Sequence, residues 1–255
     1  MINLRRTLYQ LRFTNLAYWR NPSSALFTFA FPLMFLVIFT ALLGRHTFTL
    51  DGRLVHQTTY YVAAMASYGL ISACYVNLAM VMTFQRDQGI LKRIQGTPMP
   101  SMAYLAARVI HALAVAALLV VLTAAFGRVF YQADLPTGMA LARFVAMFFV
   151  GALSFSALAF AVSSIIPNAD AAPALVNITI MPLLFLSGIF IPLGDNTPSW
   201  VTWVGKFFPV RHFAAGMQSG FLGTAFNWSD VGIVAIWGAV GLVVAARRFD
   251  AEPRA

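Results

Sequence analysis

Long uncharged stretches alternate with short polar ones along almost the whole chain. Residues 21–44, 54–85, 109–127, 144–169 and 171–194 contain no Asp, Glu, Lys or Arg, and a shorter run, 231–246, is preceded by Phe226 and Trp228. The hydrocarbon core of a bilayer is about 30 Å thick and takes about 20 apolar residues of helix to cross. The pattern therefore predicts six transmembrane helices, at 24–43, 60–83, 104–126, 144–165, 172–191 and 228–246.

The segments between the runs carry patterns of their own. Before the first span, Leu4, Leu8, Leu11, Leu16 and Trp19 share one helical face, opposed by Arg5, Arg6 and Arg12. That suits a helix over 1–22 lying in the membrane interface, the alternative being a frayed basic leader. Asn21 and Pro22 break it, with Ser23 or Ser24 to cap the first span. Between spans two and three, Ile90, Leu91 and Ile94 recur at helical spacing among charges, and Gly96 and Pro98 close the segment. Spacing alone allows a short amphipathic cytosolic helix over 86–98 or a solvated loop. Between spans five and six, Trp200, Trp203, Val204, Phe207 and Phe208 follow helical spacing up to Pro209, and a second apolar piece contains Gly216, Gly220 and Gly223. So many aromatics beyond the fifth span favour interfacial or re-entrant helices over 198–226 rather than a watery loop.

Composition closes the soluble classes. The chain is 60% hydrophobic and 10% charged, where a soluble domain carries about 25% charged residues. Its net charge of +9 sits in short clusters between apolar runs and forms no basic domain, which argues against a nucleic-acid partner. An even span count puts both termini on one side. With that side cytoplasmic, eleven of the 17 Lys and Arg residues lie inside and six outside, the bias expected of an inner-facing surface. The scattered early arginines and long first run do not read as a cleaved signal.

Reactive chemistry is sparse. The single Cys74 lies in an apolar run and excludes a disulfide framework or a cysteine-based metal site. The chain has no phosphate loop, HExxH helix or GxSxG elbow. Apart from Asp230 at the very start of the sixth, the predicted spans hold no Asp, Glu or Lys, the residues by which proton-coupled pumps work. Asp170 suits a turn or cap, and His111 is either a packed polar residue or a proton relay. Any movement of a substrate would then draw its energy from another subunit.

Two motifs resemble the permease subunits of ABC-2 type exporters, close to the drug-resistance class typified by daunorubicin exporters. One is the segment Arg86-Asp87-Gln88-Gly89-Ile90-Leu91-Lys92-Arg93-Ile94-Gln95-Gly96-Thr97-Pro98, similar to the family's acid, Gly, Leu, Arg and Thr-Pro pattern. Asp87 stands where Glu is more usual, Ile90 where Thr is common, and Lys92 where an acid is common. The other is Met181-Pro182-Leu183-Leu184-Phe185-Leu186-Ser187-Gly188-Ile189-Phe190-Ile191-Pro192, followed by Pro198, Trp200 and Phe208-Pro209-Val210.

The resemblance implies an all-α integral membrane protein, a single ABC-2 (type V exporter-like) domain over the whole chain, in a bacterial inner membrane. It implies two permeases, identical or paralogous, bound to two cytosolic ATPase subunits. ATP and Mg²⁺ would be held by those subunits and none by this chain. Arg86, Asp87, Gln88, Gly89, Leu91, Lys92 and Arg93 would form the ATPase-coupling helix. The route would run between permeases along spans two and five, where Asn77, Thr83, Asn177, Thr179, Ser187 and Gly188 offer polar or small positions. For the polar ones helix–helix hydrogen bonding is the alternative, and Gly188 equally suits close packing. Phe185 and Phe190 would gate it or face lipid. The resemblance makes the chain non-catalytic by itself, an exporter of hydrophobic or amphipathic, drug- or lipid-like molecules. An ATP-independent secondary transporter or channel is the alternative function, and a membrane-embedded enzyme or an assembly protein are further ones.

Overall fold

The computed structural model describes residues 4–43, 46–50, 53–193 and 197–248. Among them the chain is almost entirely helical, and five helices are long and apolar enough to cross a membrane.

Helix α1 (Leu4–Trp19) buries only Thr7 and Thr14, on one face, and packs mainly on α6 (Ser101–Tyr131). Leu4, Leu8, Leu16 and Trp19 are exposed. Most of its leucine face is thus turned away from the protein, with Leu11 half-buried. Helix α2 (Pro22–Leu43) starts with Pro22 in its first turn, so Ser23 lies inside the helix and not at its cap. Proline is suited to that place because its missing N–H would have had no helical partner.

An antiparallel hairpin, β1 (Thr47–Leu50) and β2 (Arg53–His56), follows and is, among the described residues, the one departure from the expected all-α pattern. Its pairing runs Thr47 to His56, Phe48 to Val55, Thr49 to Leu54 and Leu50 to Arg53. The Asp51-Gly52 pair between them is a strong hairpin signal in sequence.

The second span is a rod of 31 residues, Gln57–Asp87, built from α3 (Gln57–Ile71), a π-helical segment (Ser72–Asn77) and α4 (Leu78–Asp87). It is the central helix: 72% of its most apolar stretch is buried, against 22% for Ala25–Leu42 of the first span. At about 1.5 Å per residue the rod is about 46 Å long, so it extends beyond the hydrocarbon core. The boundary expected at Arg86 therefore moves, because Arg86 and Asp87 complete this rod and the short helix α5 is only Ile90–Gln95.

Helices α6 and α7 (Gly138–Ser163) are the third and fourth long helices, and α11 (Trp228–Arg248) is the fifth. Helix α11 lies along α7 at close range. A side chain begun at Gly238 would meet Ser154 Oγ at 2.5 Å, and one begun at Gly241 would meet the Leu158 backbone nitrogen at 2.9 Å. Small residues at such a contact allow two membrane helices to approach closely.

Helix α8 is Ala172–Phe185 and stops short of the expected end at 191. Ser187 Oγ turns back to donate to the Leu184 carbonyl at 2.8 Å, and Gly188 takes φ +83°, which stops the helical path. Beyond it, α9 (Ser199–Phe207) and α10 (Pro209–Leu222) meet at Phe208. Helix α10 is buried along most of its length, whereas α9 exposes Trp200, Trp203 and Phe207.

Candidate coupling and transport site

The polar turn between the second and third spans is built around one glycine. Gly89 sits at φ +69°, ψ 13°, a left-handed conformation that glycine adopts without the Cβ penalty. It ends the long rod and starts α5 at a new angle. Leu91 on α5 is buried, while Gln88, Lys92 and Arg93 are exposed. Thr97 Oγ1 donates to the Ile94 carbonyl at 2.7 Å, and α6 begins at Ser101. The segment is therefore short, fastened on its apolar side, and cationic on its open side.

Arg86 points the other way. It is 2% exposed, and its guanidinium donates to the carbonyls of Ser163 (2.6 Å), Ile166 and Pro167 (3.3 Å). These lie at and just after the end of α7, where a helix leaves its last carbonyls without partners and favours a cation. Asp87 Oδ2 accepts from the Ala169 backbone N–H at 3.2 Å in the same turn. Arg86 and Asp87 thus bind the end of the second span to the connection between α7 and α8. Arg6 of α1 donates to the Pro98 carbonyl, which fixes α1 to the other end of the polar turn. Tyr104 at the start of α6 donates to Gln85 Oε1 of α4, and Arg108 donates to the Tyr104 oxygen from Nε (3.2 Å) and Nη2 (2.9 Å).

Deeper in, the second span meets α8. Tyr75 Oη and Thr179 Oγ1 are 2.7 Å apart, and Thr179 also donates to the Val176 carbonyl at 2.7 Å. Towards the opposite end, the Gly188 carbonyl accepts from Tyr60 of α3 and from Gln218 Nε2 of α10 at 3.4 Å. Phe190 is buried among Phe35, Phe39 and Tyr68, with Phe185 at 5.0 Å between ring centroids. Phe185 itself is 52% exposed. On the far side, His212 has an acceptor at each ring nitrogen, Asp230 Oδ1 at 2.6 Å and the Lys206 carbonyl at 2.8 Å. This joins α9, α10 and α11.

The residues proposed for the route are not gathered on one wall of this chain. Thr179 and Phe185 lie on the open face of α8. Asn177 Nδ2 donates to the Pro173 carbonyl one turn back, at 2.8 Å. Thr83 is fully buried and donates to the Ala79 carbonyl of its own helix at 2.9 Å. Ser187 and Gly188 are buried in the turn after α8. Asn77 faces another way, into a cavity walled by α1, α4 and α6. Tyr75 and Asn77 both lie in the π segment, and being two residues apart on a helix they point to opposite sides, Tyr75 towards α8 and Asn77 towards α6. Nothing in the local sequence marks a π turn. The bonds from Tyr60, Gln218, Tyr104 and Arg6 join residues far apart in sequence, so spacing does not reveal them. Cys74 is buried, and among the described residues no three His, Cys, Asp or Glu side chains form a metal set.

Comparison with known proteins bears on the same stretch of chain. The sequence profile of a family described as ABC-2 type transporter matches residues 7–222. A protein of Bacillus subtilis (strain 168), provisionally named transport permease YvfS, is 24% identical over 213 residues, covering 83% of this chain and 84% of its own length.

Proposed function

The chain belongs to the ABC-2 type transporter family, and on that premise we propose that it is the permease of an ATP-driven exporter, moving a hydrophobic or amphipathic, drug- or lipid-like substrate outward. It is a multi-pass transport component, not the catalyst, and families of this kind work with an ATPase partner. In our reading two cytosolic ATPases bind two permeases in a bacterial inner membrane, with both termini cytoplasmic. Helix α8 is the fifth of six spans, and α9 with α10 forms a re-entrant section in the outer leaflet. The exposed Trp200 and Trp203 support that placement, because indole rings settle at the membrane interface.

The observation that carries the proposal is the polar turn. Gln88, Lys92 and Arg93 offer a cationic, solvent-facing surface, while Leu91, Arg86 and Asp87 fasten it to the spans behind. Closure of the ATPase dimer would push on this surface and tilt the rod, α6 and the α7–α8 turn together. That is the rigid-element motion that alternating access requires. The route runs between the permeases, along Thr179 and Phe185 of α8. The buried candidates, Thr83, Ser187 and Gly188, with Asn77 and Asn177, would shape the helices that border it.

Gentle-detergent purification of the tagged chain from its native membrane tests the proposal. A cytosolic ATPase should come along in stoichiometric amount, and Arg93→Glu should abolish its recovery while leaving the permease folded. Recovery of the chain alone, with ATP and in lipid nanodiscs, would favour an ATP-independent transporter. Normal ATPase recovery with Arg93→Glu would remove the polar turn from the coupling surface.

A further inference from the structure

Between α1, the π segment with α4, and α6 lies a cavity of about 220 Å³ that the transport reading leaves without a role. Seven of its lining residues are polar: Thr14, Tyr18, Asn21, Asn77, Gln85, Arg108 and His111. Each is of a type that donates hydrogen bonds, and no acidic residue lines the space. Burial raises the Tyr18 phenol above its usual range, with a hydrogen bond to Thr28 opposing this, so Tyr18 is a neutral hydroxyl at pH 7.

Arg108 supplies the charge. Its described hydrogen bonds, from Nε and Nη2, both end on the hydroxyl oxygen of Tyr104, and Nη1 enters none of them. Its guanidinium carbon also lies 5.2 Å from the Tyr104 ring centroid. Among the described residues it meets no carboxylate. A cation set between membrane helices is normally compensated by an opposite charge. Thr14 gives an independent sign of a missing partner. It is 3% exposed, and its Oγ1 has no hydrogen bond. Depth agrees as well. Arg108 is seven residues into α6, about 10 Å along the axis from its start at Ser101. That places it beside Gln85, near the end of α4 that enters the polar turn, at the level of lipid headgroups and glycerol.

From these observations we infer that the cavity binds a phosphate group on Arg108, with Thr14 and Asn77 as further donors, supplied by an inner-leaflet phospholipid or by free phosphate. A guanidinium can grip two phosphate oxygens at once. The volume is several times the roughly 30 Å³ that one water occupies, so a tetrahedral oxyanion fits. The site holds α1 to α6 through its ligand. It depends neither on the identity of the exported substrate nor on the ATPase.

Native mass spectrometry of the full chain in neutral detergent is the test. Phosphatidylglycerol should remain bound to the wild-type chain, whereas diacylglycerol, which lacks the phosphate, should not. Arg108→Gln should reduce retention about tenfold or more, the loss of one charge-assisted contact. Arg248→Gln, which alters an exposed cation outside the cavity, should leave it unchanged. If Arg108→Gln fails to fold, Asn77→Leu, which removes a donor and fills the space, should give the same loss. Displacement of the lipid by millimolar inorganic phosphate would identify the phosphate group alone as the ligand. Resistance to it would identify the intact phospholipid. Equal retention of phosphatidylglycerol by the wild type and both variants, or equal retention of diacylglycerol, would overturn the assignment.

Discussion

Arg86 and Arg93 stand in the same polar segment and have the same side chain, yet they do opposite work. Arg93 is exposed, whereas Arg86 is spent on the carbonyls of Ser163, Ile166 and Pro167. Residue type could not separate them, because which arginine turns inward depends on where the end of α7 lies. Replacing Arg86 by Gln should destabilise the chain by about 3 kcal/mol, since buried carbonyls lose charge-assisted donors. Arg93→Gln should leave stability within about 0.5 kcal/mol, as exposed substitutions commonly do. Unfolding in detergent, followed by tryptophan fluorescence, distinguishes the two. Equal stability of both variants would show that Arg86 does not hold the α7–α8 turn. The polar segment was legible in sequence as a unit, but its two faces were not.

At the scale of elements, the long helices follow from the uncharged runs because any polar backbone in lipid must be satisfied within its own helix. The ends of helices depend on finer signals. Gly89 and Gly188 interrupt helical paths at positive φ, and glycine alone does not reveal this, since Gly151, Gly238 and Gly241 sit inside helices. The latter two serve the contact between α7 and α11. Gly241→Val should separate that pair, because the added carbons would meet the backbone at Ala157 and Leu158. The expected loss is about 1–3 kcal/mol, the range for overpacking. A melting temperature unchanged from wild type would contradict the close approach. Gly232→Val is the matching control, having open space where the side chain would begin.

For the whole molecule, the buried rod of Gln57–Asp87 is the centre against which α2, α6, α7 and α10 pack, and α2 and α11 are the least buried of the long helices. With the polar turn inside, a cysteine introduced at Thr197 should react with an impermeant maleimide in intact cells, and one at Gln95 should not. The native Cys74 is buried and gives little background. Labelling at Gln95 but not at Thr197 would reverse the orientation and place the proposed coupling surface outside the cell. The same result would also remove the inner-leaflet source for a phosphate at Arg108.

What the sequence determined by itself was the response of the chain to its solvent. The bilayer imposes a length on apolar runs and sorts charges to its edges, and both effects can be read residue by residue. The family resemblance was legible for the same reason, through short motifs contiguous in sequence. Tertiary structure alone decided where the polar side chains inside the bundle point. Tyr60 reaches Gly188, Arg86 reaches the end of α7, Tyr75 reaches Thr179 of α8, and Asn77 meets the cavity beside α1 and α6. In a low-dielectric interior a polar group is driven to whichever partner is nearest, and that partner is fixed only when distant helices pack.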